Sequence, residues 1–498
     1  MWSKNLSLRY IPPKQVWAPR RVGLGSPKIY DFWGFAAEGG HGFLDHIATF
    51  LKSNAVIIRR LAVALIVFTI MMPSWGQERE DDEVEEVKET AAKPKKRSGW
   101  SVMPIPTVSY TSDNGLMLGA LADVYYYGPD RCNFPRYDHK FYFDFGWATK
   151  GSKYGYFSYD SEKLIPGLRF TTSAQYLTHD SFPFMGFNGW AAPYLEDMYH
   201  DAEGKMTGFY QMRKDMLRIL VDFKGDIVPG LRWAAGVNIW DIRIRDTKLP
   251  MATNNLLHRY IDAGILSAAE AAGGFHTELK AGISYDTRDT EAATKSGIWA
   301  DAFLYGSPDF VQKRNSYLNL ALHWRHYVPL VKDKLTFAYH VAFQGTLLGE
   351  MPFYMLSNIA ALSLRQVISD GLGSYNTLRG TLYNRMLGQA YAWSNFELRW
   401  FIYDFNLWGI NLGIAINPLM DLGMVVVPYR LDRMRSSGDA QIYREGGWSR
   451  SGDRLHLSYG GGAKLSVDYN FILSVEYATP AIKNDGPGSL SISVNYIF

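Results

Sequence analysis

The stretch HKFYFDFGWA, residues 139–148, decides the fold, because apolar and polar side chains alternate along it with a period of two. One face of this segment carries four large apolar residues: Phe141, Phe143, Phe145 and Trp147. The other face carries Tyr142, Asp144 and Gly146. Strict alternation of this kind is typical of a β-strand with one apolar and one polar face, so we predict a strand here.

The same alternation returns near the end of the chain. In NFILSVEYAT (470–479) the apolar positions are Phe471, Leu473, Val475 and Tyr477, and in SLSISVNYIF (489–498) they are Leu490, Ile492, Val494, Tyr496 and Phe498. Counting such segments between turn signals predicts about sixteen strands. They lie near 104–111, 116–127, 139–148, 153–160, 168–178, 208–223, 231–245, 275–287, 297–305, 315–327, 334–346, 390–402, 408–424, 454–467, 470–479 and 489–497. The stretch LSAAEAAGG around Ala268 predicts a short loop helix.

Short and long connections alternate between these segments. Tight turns are predicted at Ser112-Asp113-Asn114-Gly115, Ile165-Pro166-Gly167 and Val228-Pro229-Gly230, and long loops at 179–206, 247–274, 347–389 and 425–453. This arrangement is typical of a barrel that crosses an outer membrane. The alternative is a set of soluble β-sandwiches. In lipid, however, every strand edge must be paired, so a sheet with open edges is excluded there and a closed barrel follows. We therefore predict an all-β fold, a transmembrane antiparallel β-barrel of about 16 strands over residues 100–498.

Composition limits the classes of function. Aromatic residues make up 15% of the 498 residues, which fits aromatic girdles at the two membrane interfaces. The net charge of +3 is too small to indicate a nucleic-acid partner. Cys132 is the one cysteine, so neither an intramolecular disulfide nor a cysteine-based zinc cluster can form.

The N-terminal part contains an expected export signal. Two arginines at 59–60 precede the apolar run Leu61–Met72 and then Pro73-Ser74-Trp75-Gly76, which predicts a signal peptide over 55–76 cleaved after Gly76. We interpret residues 1–54 as an extension or as the result of a start codon placed too far upstream. Residues 77–99 are acidic and then lysine-rich, without apolar residues for a core, which predicts a disordered periplasmic tail.

Four stretches of the second half together resemble the BamA/TamA-type outer-membrane superfamily, the bacterial surface antigen family. The first, GISYDTRDTEAATKSGIWADAFLYGS, resembles the family's strand-turn-strand motif through Asp286, Arg288, Asp289 and Gly297, with Ala293 where the family usually has Pro. The second is SYNTLRGTLYNRMLGQ, in which Arg379-Gly380 resembles the tip of a loop that folds into the lumen, with Thr381 replacing the usual aromatic. The third pairs YAWSNFELRWFI with NPLMDLGMVV, and the fourth is the Gly-rich C-terminal region that ends in Phe498.

The resemblance implies a role for the loop arginine. In the family this arginine pairs with an acid on each of two neighbouring strands, and the matching positions here are Glu397 and Asp421. A guanidinium in a lumen is desolvated and needs carboxylates, which it can engage in a bidentate fork. The alternative is that Arg379 lies on an exposed loop and that Glu397 pairs with nearby Arg399.

The C-terminal residues also carry a hypothesis. Tyr496 and Phe498 continue the alternation of the last segment, and the resemblance makes them the signal by which barrels are recognised and closed. The alternative is a strand that ends in an aromatic residue by chance.

Enzyme and metal chemistry are not predicted. Asp286 and Asp289 follow a strand and fit a structural turn better than acid–base catalysis. His323, His326 and His340 lie on predicted adjacent strands, but His323 and His326 are three positions apart and so on opposite faces of a strand, and we expect no metal site. No other cofactor is expected.

The function that the resemblance implies is outer-membrane biogenesis, or protein or lipid transport, in the outer membrane of a Gram-negative bacterium. Its expected partners are outer-membrane lipids and lipopolysaccharide, with client proteins or a separate periplasmic partner, and no nucleic acid. Periplasmic POTRA domains usually accompany this role, and about two dozen residues between the expected cleavage site and the barrel leave no room for one. The alternatives are a passive channel or surface receptor that binds ligands through its long loops and, third, a lipid-modifying enzyme.

Overall fold

The computed structural model describes residues 99–111, 115–129, 137–192, 194–290, 293–308, 315–359, 369–373, 376–407, 410–431, 453–467, 471–494 and 496–498. The segments predicted as an extension, a signal peptide and a periplasmic tail lie outside this range, apart from Gly99. The turn residues Ser112 to Asn114 also lie outside it.

Sixteen strands form one antiparallel sheet, which confirms the predicted fold class and strand number. They are β1 (Trp100–Thr111), β2 (Gly115–Tyr126), β3 (His139–Ala148), β4 (Lys153–Ile165), β5 (Leu168–Pro183), β6 (Gln211–Val228), β7 (Leu231–Arg245), β8 (Gly273–Asp286), β9 (Gly297–Ser307), β10 (Tyr317–Val331), β11 (Leu335–Gly349), β14 (Ala390–Leu407), β15 (Ile410–Val427), β16 (His456–Val467), β17 (Phe471–Pro480) and β18 (Ser489–Val494). Two short strands, β12 (Asn358–Ile359) and β13 (Ser369–Asp370), pair with each other inside a loop, so β11 pairs with β14.

The first and last strands lie side by side, which closes the sheet into a barrel. Among the described residues, no hydrogen-bonded ladder joins β1 to β18. The last strand pairs with β17 over only six residues, from Ser489 to Val494. This contact between β1 and β18, called the seam below, is therefore the one join of the barrel without a backbone ladder in the described part of the chain.

Alternation along the strands separates an apolar outer surface from a polar lumen. On β3, Phe145 and Trp147 are 56% and 69% exposed on the outer face, whereas Lys140 is buried on the inner face. Other strands show the same apolar outer face, for example at Leu217, Ile219, Ile283, Leu322, Trp324 and Val341. Such a surface is stable in contact with lipid rather than water. Among the described residues, no helix is both long enough and apolar enough to cross a bilayer.

The long loops pack together at one end of the barrel and form a structure that we call the cap. It contains the short helices α1 (Glu196–Tyr199), α2 (Leu256–Asp262), α3 (Ala268–Ala271) and α4 (Phe353–Leu356), together with 3-10 turns at Gly189–Ala191, Ala252–Asn254 and Lys483–Asp485. The helix predicted around Ala268 is thus confirmed as α3, and Ser267 caps it.

The cap has an apolar core of its own. Phe187 stacks on Tyr429 with ring centroids 3.9 Å apart, and Phe184 lies 5.4 Å from Tyr260. Phe353 joins them at 5.8 Å from Phe184. These rings come from four separate loops, so burial of aromatic surface holds the loops together over the barrel.

The lipid-facing surface can be tested by placing charge at two depths. Leu322→Arg, in the middle of β10, should destabilise the protein in lipid vesicles by about 2–4 kcal/mol. Ile227→Arg, at the end of β6, should cost roughly 0–1 kcal/mol because the side chain reaches the interface. Urea unfolding in vesicles measures both, and equal costs at the two positions would contradict the assignment of this face to lipid.

Candidate functional site

The loop between β11 and β14, residues 350–389, carries the predicted Arg379-Gly380 tip into the barrel lumen. Arg379 is 1% exposed and Leu378 is completely buried. Gly380 has a φ of 84°, and a Cβ atom there would collide with main-chain atoms of Ala478 on β17. A glycine is needed at this point because the loop backbone lies directly against the wall of the barrel.

Arg379 is held by three carboxylates from three strands. Its Nη2 and Nε donate to the two carboxylate oxygens of Asp421 on β15, at 2.7 and 2.8 Å. Its Nη1 donates to Glu397 on β14 and to Oε1 of Glu476 on β17, the latter at 3.2 Å. The backbone N–H of Arg379 also donates to Asp421, at 2.9 Å. The structure therefore brings the three predicted residues together and adds a fourth, Glu476. We call this set, together with the cations Arg399 and Lys464 that pair with its acids, the clasp.

Two further cations complete the charge balance of the clasp. Arg399 donates to Glu397 at 2.7 Å, and Lys464 donates to Glu476 at 2.7 Å. Three cations thus face three carboxylates, all of them nearly or completely buried, so the group as a whole is neutral. A buried carboxylate is tolerated when it is paired and hydrogen-bonded, and this arrangement meets that condition for each acid.

The electrostatics of the loop arginine follow from these neighbours. Burial by itself lowers the pKa of Arg379, but the charges of Asp421, Glu476 and Glu397 outweigh it and hold that pKa well above its ordinary value. Asn395 adds a hydrogen bond to Asp421 at 2.9 Å and one to the carbonyl oxygen of Thr377 at 2.6 Å. The loop is thereby tied to the wall at Thr377 as well as at Arg379.

Sequence reasoning did not nominate Glu476, Lys464 or Arg399 as members of the clasp. The signal for Glu476 was present, since it occupies a polar position of the alternating stretch NFILSVEYAT. The alternative pairing of Glu397 with Arg399 exists alongside the clasp, because Glu397 contacts both arginines. The alternative of an Arg379 on an exposed loop is wrong, because its side chain is buried.

The residues of the strand-turn motif lie apart from the clasp, at the turn between β8 and β9. Arg288 pairs with Asp286 at 2.7 Å and lies 4.1 Å above the ring of Trp299. Asp289 accepts the backbone N–H groups of Thr290 and Lys295, at 2.9 and 3.1 Å. Gly297 has a φ of 110° and packs against the backbone of this turn. These contacts shape a turn at the end of the barrel opposite the cap.

Tyr496 and Phe498 take a different position from the one that alternation predicts. β18 ends at Val494, and Phe498 is only 7% exposed, packed against Tyr327 and Ala338 of the lumen. Arg399 lies 3.9 Å above the ring of Tyr496 and donates to the main-chain oxygen of Phe498 at 2.9 Å. A buried guanidinium attracts aromatic faces, which draws these residues off the outer surface.

The histidines considered for metal binding do not lie together on one face, because His323 and His326 point to opposite faces of β10, as expected from their spacing. His323 and His340 face the lumen, and Nδ1 of His323 lies 3.0 Å from Nε2 of His340. His326 is only partly buried and contacts Tyr339 at 3.1 Å. Among the described residues, no group of three or more His, Cys, Asp or Glu side chains has the geometry of a metal site.

Comparison with solved structures finds similar chains at low sequence identity. One is BamA from Haemophilus ducreyi lacking POTRA domains 1–3, with 12% identity and a TM-score of 0.49 over 80% of this chain and 70% of that one. CdiB from Escherichia coli has 9% identity and a TM-score of 0.48 over 80% of this chain and 62% of that one. CdiB from Acinetobacter baumannii has 9% identity and a TM-score of 0.42, over 80% and 59%. The chain spans less than two thirds of either CdiB chain. No protein-family model and no curated protein matches the sequence.

Removal of the loop arginine tests the clasp. Arg379→Ala leaves three buried carboxylates with two cations, so we expect it to destabilise the protein by about 3–5 kcal/mol. Arg379→Lys keeps the charge but loses the bidentate fork, so its cost should be intermediate. Urea unfolding in lipid vesicles measures both.

A matched control is available on the outer surface. Arg243 pairs with Asp241 at 2.9 Å, but its side chain is 62% exposed, so Arg243→Ala should change stability by no more than ~1 kcal/mol. If Arg379→Ala costs no more than Arg243→Ala, the clasp does not contribute to stability.

Proposed function

We propose that this protein is an outer-membrane β-barrel that acts in outer-membrane biogenesis, by moving protein or lipid into or across the membrane. The observation that carries this proposal is a lumen occupied by the chain's own loop, held by the clasp beside a seam at which the described residues form no backbone ladder. A barrel that handles clients in the membrane needs a join that can open without loss of the remaining sheet.

The position of the clasp relative to the seam supports the proposal. Glu476 lies on β17, the strand that pairs with β18, and Gly380 packs against Ala478 of the same strand. Ala478 is in turn the register partner of Ser489, the first residue of β18. A movement of the loop would therefore act directly on the strands that border the seam.

The alternative of a passive channel receives less support. A diffusion pore needs a continuous aqueous path, whereas here the cap has an apolar core and the segment around Leu378 and Arg379 enters the lumen. The apolar outer surface fits lipid tails, and we propose outer-membrane lipids and lipopolysaccharide as its surroundings. Client proteins or a separate periplasmic partner complete the proposed set of interactions.

Depletion of the protein in its host, followed by quantitative proteomics of the purified outer membrane, tests this function. We expect several other barrels or surface proteins to decrease in the outer membrane. Complementation with the wild-type gene or with Arg243→Ala should restore them, because the latter changes only an exposed pair. Complementation with Arg379→Ala should restore them incompletely even when the variant reaches wild-type abundance in the membrane.

Two results would count against the proposal. An unchanged outer-membrane proteome and lipid composition after depletion would remove the biogenesis role. Rapid swelling of vesicles that contain the purified protein, in solutions of small sugars, would instead favour the passive channel.

A further inference from the structure

Four charged side chains meet under the cap, where β16 begins, and they are separate from the clasp. They are Arg385, Asp453, His456 and Asp485, and each side chain is no more than 1% exposed. His456 is the first residue of β16, and Asp485 lies in the turn between β17 and β18. Arg385 comes from the loop that also carries Arg379.

Both ring nitrogens of His456 face a carboxylate. Nδ1 lies 2.6 Å from Oδ2 of Asp485, and Nε2 lies 2.9 Å from Oδ1 of Asp453. A neutral imidazole has one N–H group and can donate to only one of these acceptors. The doubly protonated ring donates to both, so the observed geometry is complete only when His456 is charged.

The charge balance leads to the same conclusion. Arg385 lies 3.4 Å from Oδ1 of Asp485, and it is the only other cation among these four groups. With a charged His456, two cations face two carboxylates and the cluster is neutral. With a neutral His456, the buried cluster carries a net charge of −1, which is unfavourable without solvent.

The same side chains tie the segments of the cap to the barrel. Asp453 accepts the backbone N–H of Trp190 at 2.9 Å and that of Val425 at 2.8 Å. Arg385 donates to the carbonyl oxygens of Gly189 at 3.2 Å and Asn484 at 3.1 Å. The cluster therefore joins the loop after β5, the lumen loop, the end of β15 and the turn between β17 and β18.

We propose that His456 is a pH-operated clip that tightens the cap when it is protonated. The groups that face it are Asp453, Asp485 and the ring of Trp190, with Arg385 behind Asp485. Arg454, which is exposed, lies over the ring of Trp190. Because the folded cap favours the charged ring, the clip is complete on the acid side of the titration of His456. It loses one bond and its charge balance as the pH rises.

Hydrogen exchange of the full-length protein in lipid vesicles, followed by mass spectrometry, tests the clip. The reporter is a peptide that covers residues 184–192, whose Trp190 amide is bound to Asp453. After correction for the intrinsic pH dependence of exchange, its exchange rate should rise by about tenfold between about pH 5.5 and about pH 8.5. His456→Gln, which cannot be charged, should exchange fast at both pH values.

A matched control lies in the same loop. His200 pairs with Glu196 at 2.7 Å on the exposed surface, so His200→Gln should keep the wild-type pH profile. If His456→Gln does not fold, Asp485→Asn serves instead, because it removes one carboxylate and should move the transition to lower pH.

Three results would overturn the clip. They are a corrected exchange rate in the wild type that does not depend on pH, a wild-type profile that persists in His456→Gln, and an unchanged midpoint in Asp485→Asn. The measurement reports on the cap alone, so it stands whether or not the protein acts in membrane biogenesis.

Discussion

Backbone N–H and C=O groups that face hydrocarbon without a partner cost several kcal/mol each, and the architecture depends on this constraint. Fifteen consecutive pairings along the sixteen strands satisfy it, which leaves the outward side chains free to be apolar. The seam is where the described residues contain no such ladder. Side chains add to the backbone pairing at this end of the sheet, where the polar contacts of the lumen involve β14, β15, β16 and β17.

Neutral groups of buried charges provide these contacts. In the clasp, three cations meet three carboxylates, and in the cluster around His456 two cations meet two carboxylates when the ring is protonated. Both groups connect a loop to strands near the end of the sheet. They differ in chemistry, because the cations of the clasp are arginine and lysine, whereas the clip includes a histidine, whose ring can gain or lose its charge.

Local patterns predicted most of the fold. The alternation in HKFYFDFGWA reproduces β3 over the same residues, and the helix around Ala268 appears as α3. The residues Arg379, Glu397 and Asp421 were nominated through a family resemblance, and the structure brings them together. Tyr496 and Phe498 show the limit of a period-two argument. Their alternation continues that of β18, but the buried guanidinium of Arg399 draws them into the lumen.

The sequence by itself determined where the sixteen strands of the barrel lie, to within a few residues at their ends, and which face of each strand is apolar, because these properties depend on neighbours two positions apart in the chain. Only the tertiary structure decided that Glu476 and Lys464 join the clasp, and that Asp453, His456 and Asp485 meet Arg385. Those partners are separated by up to a hundred residues along the chain. Their encounter requires the sheet to curve and close, and no short-range pattern records that distance.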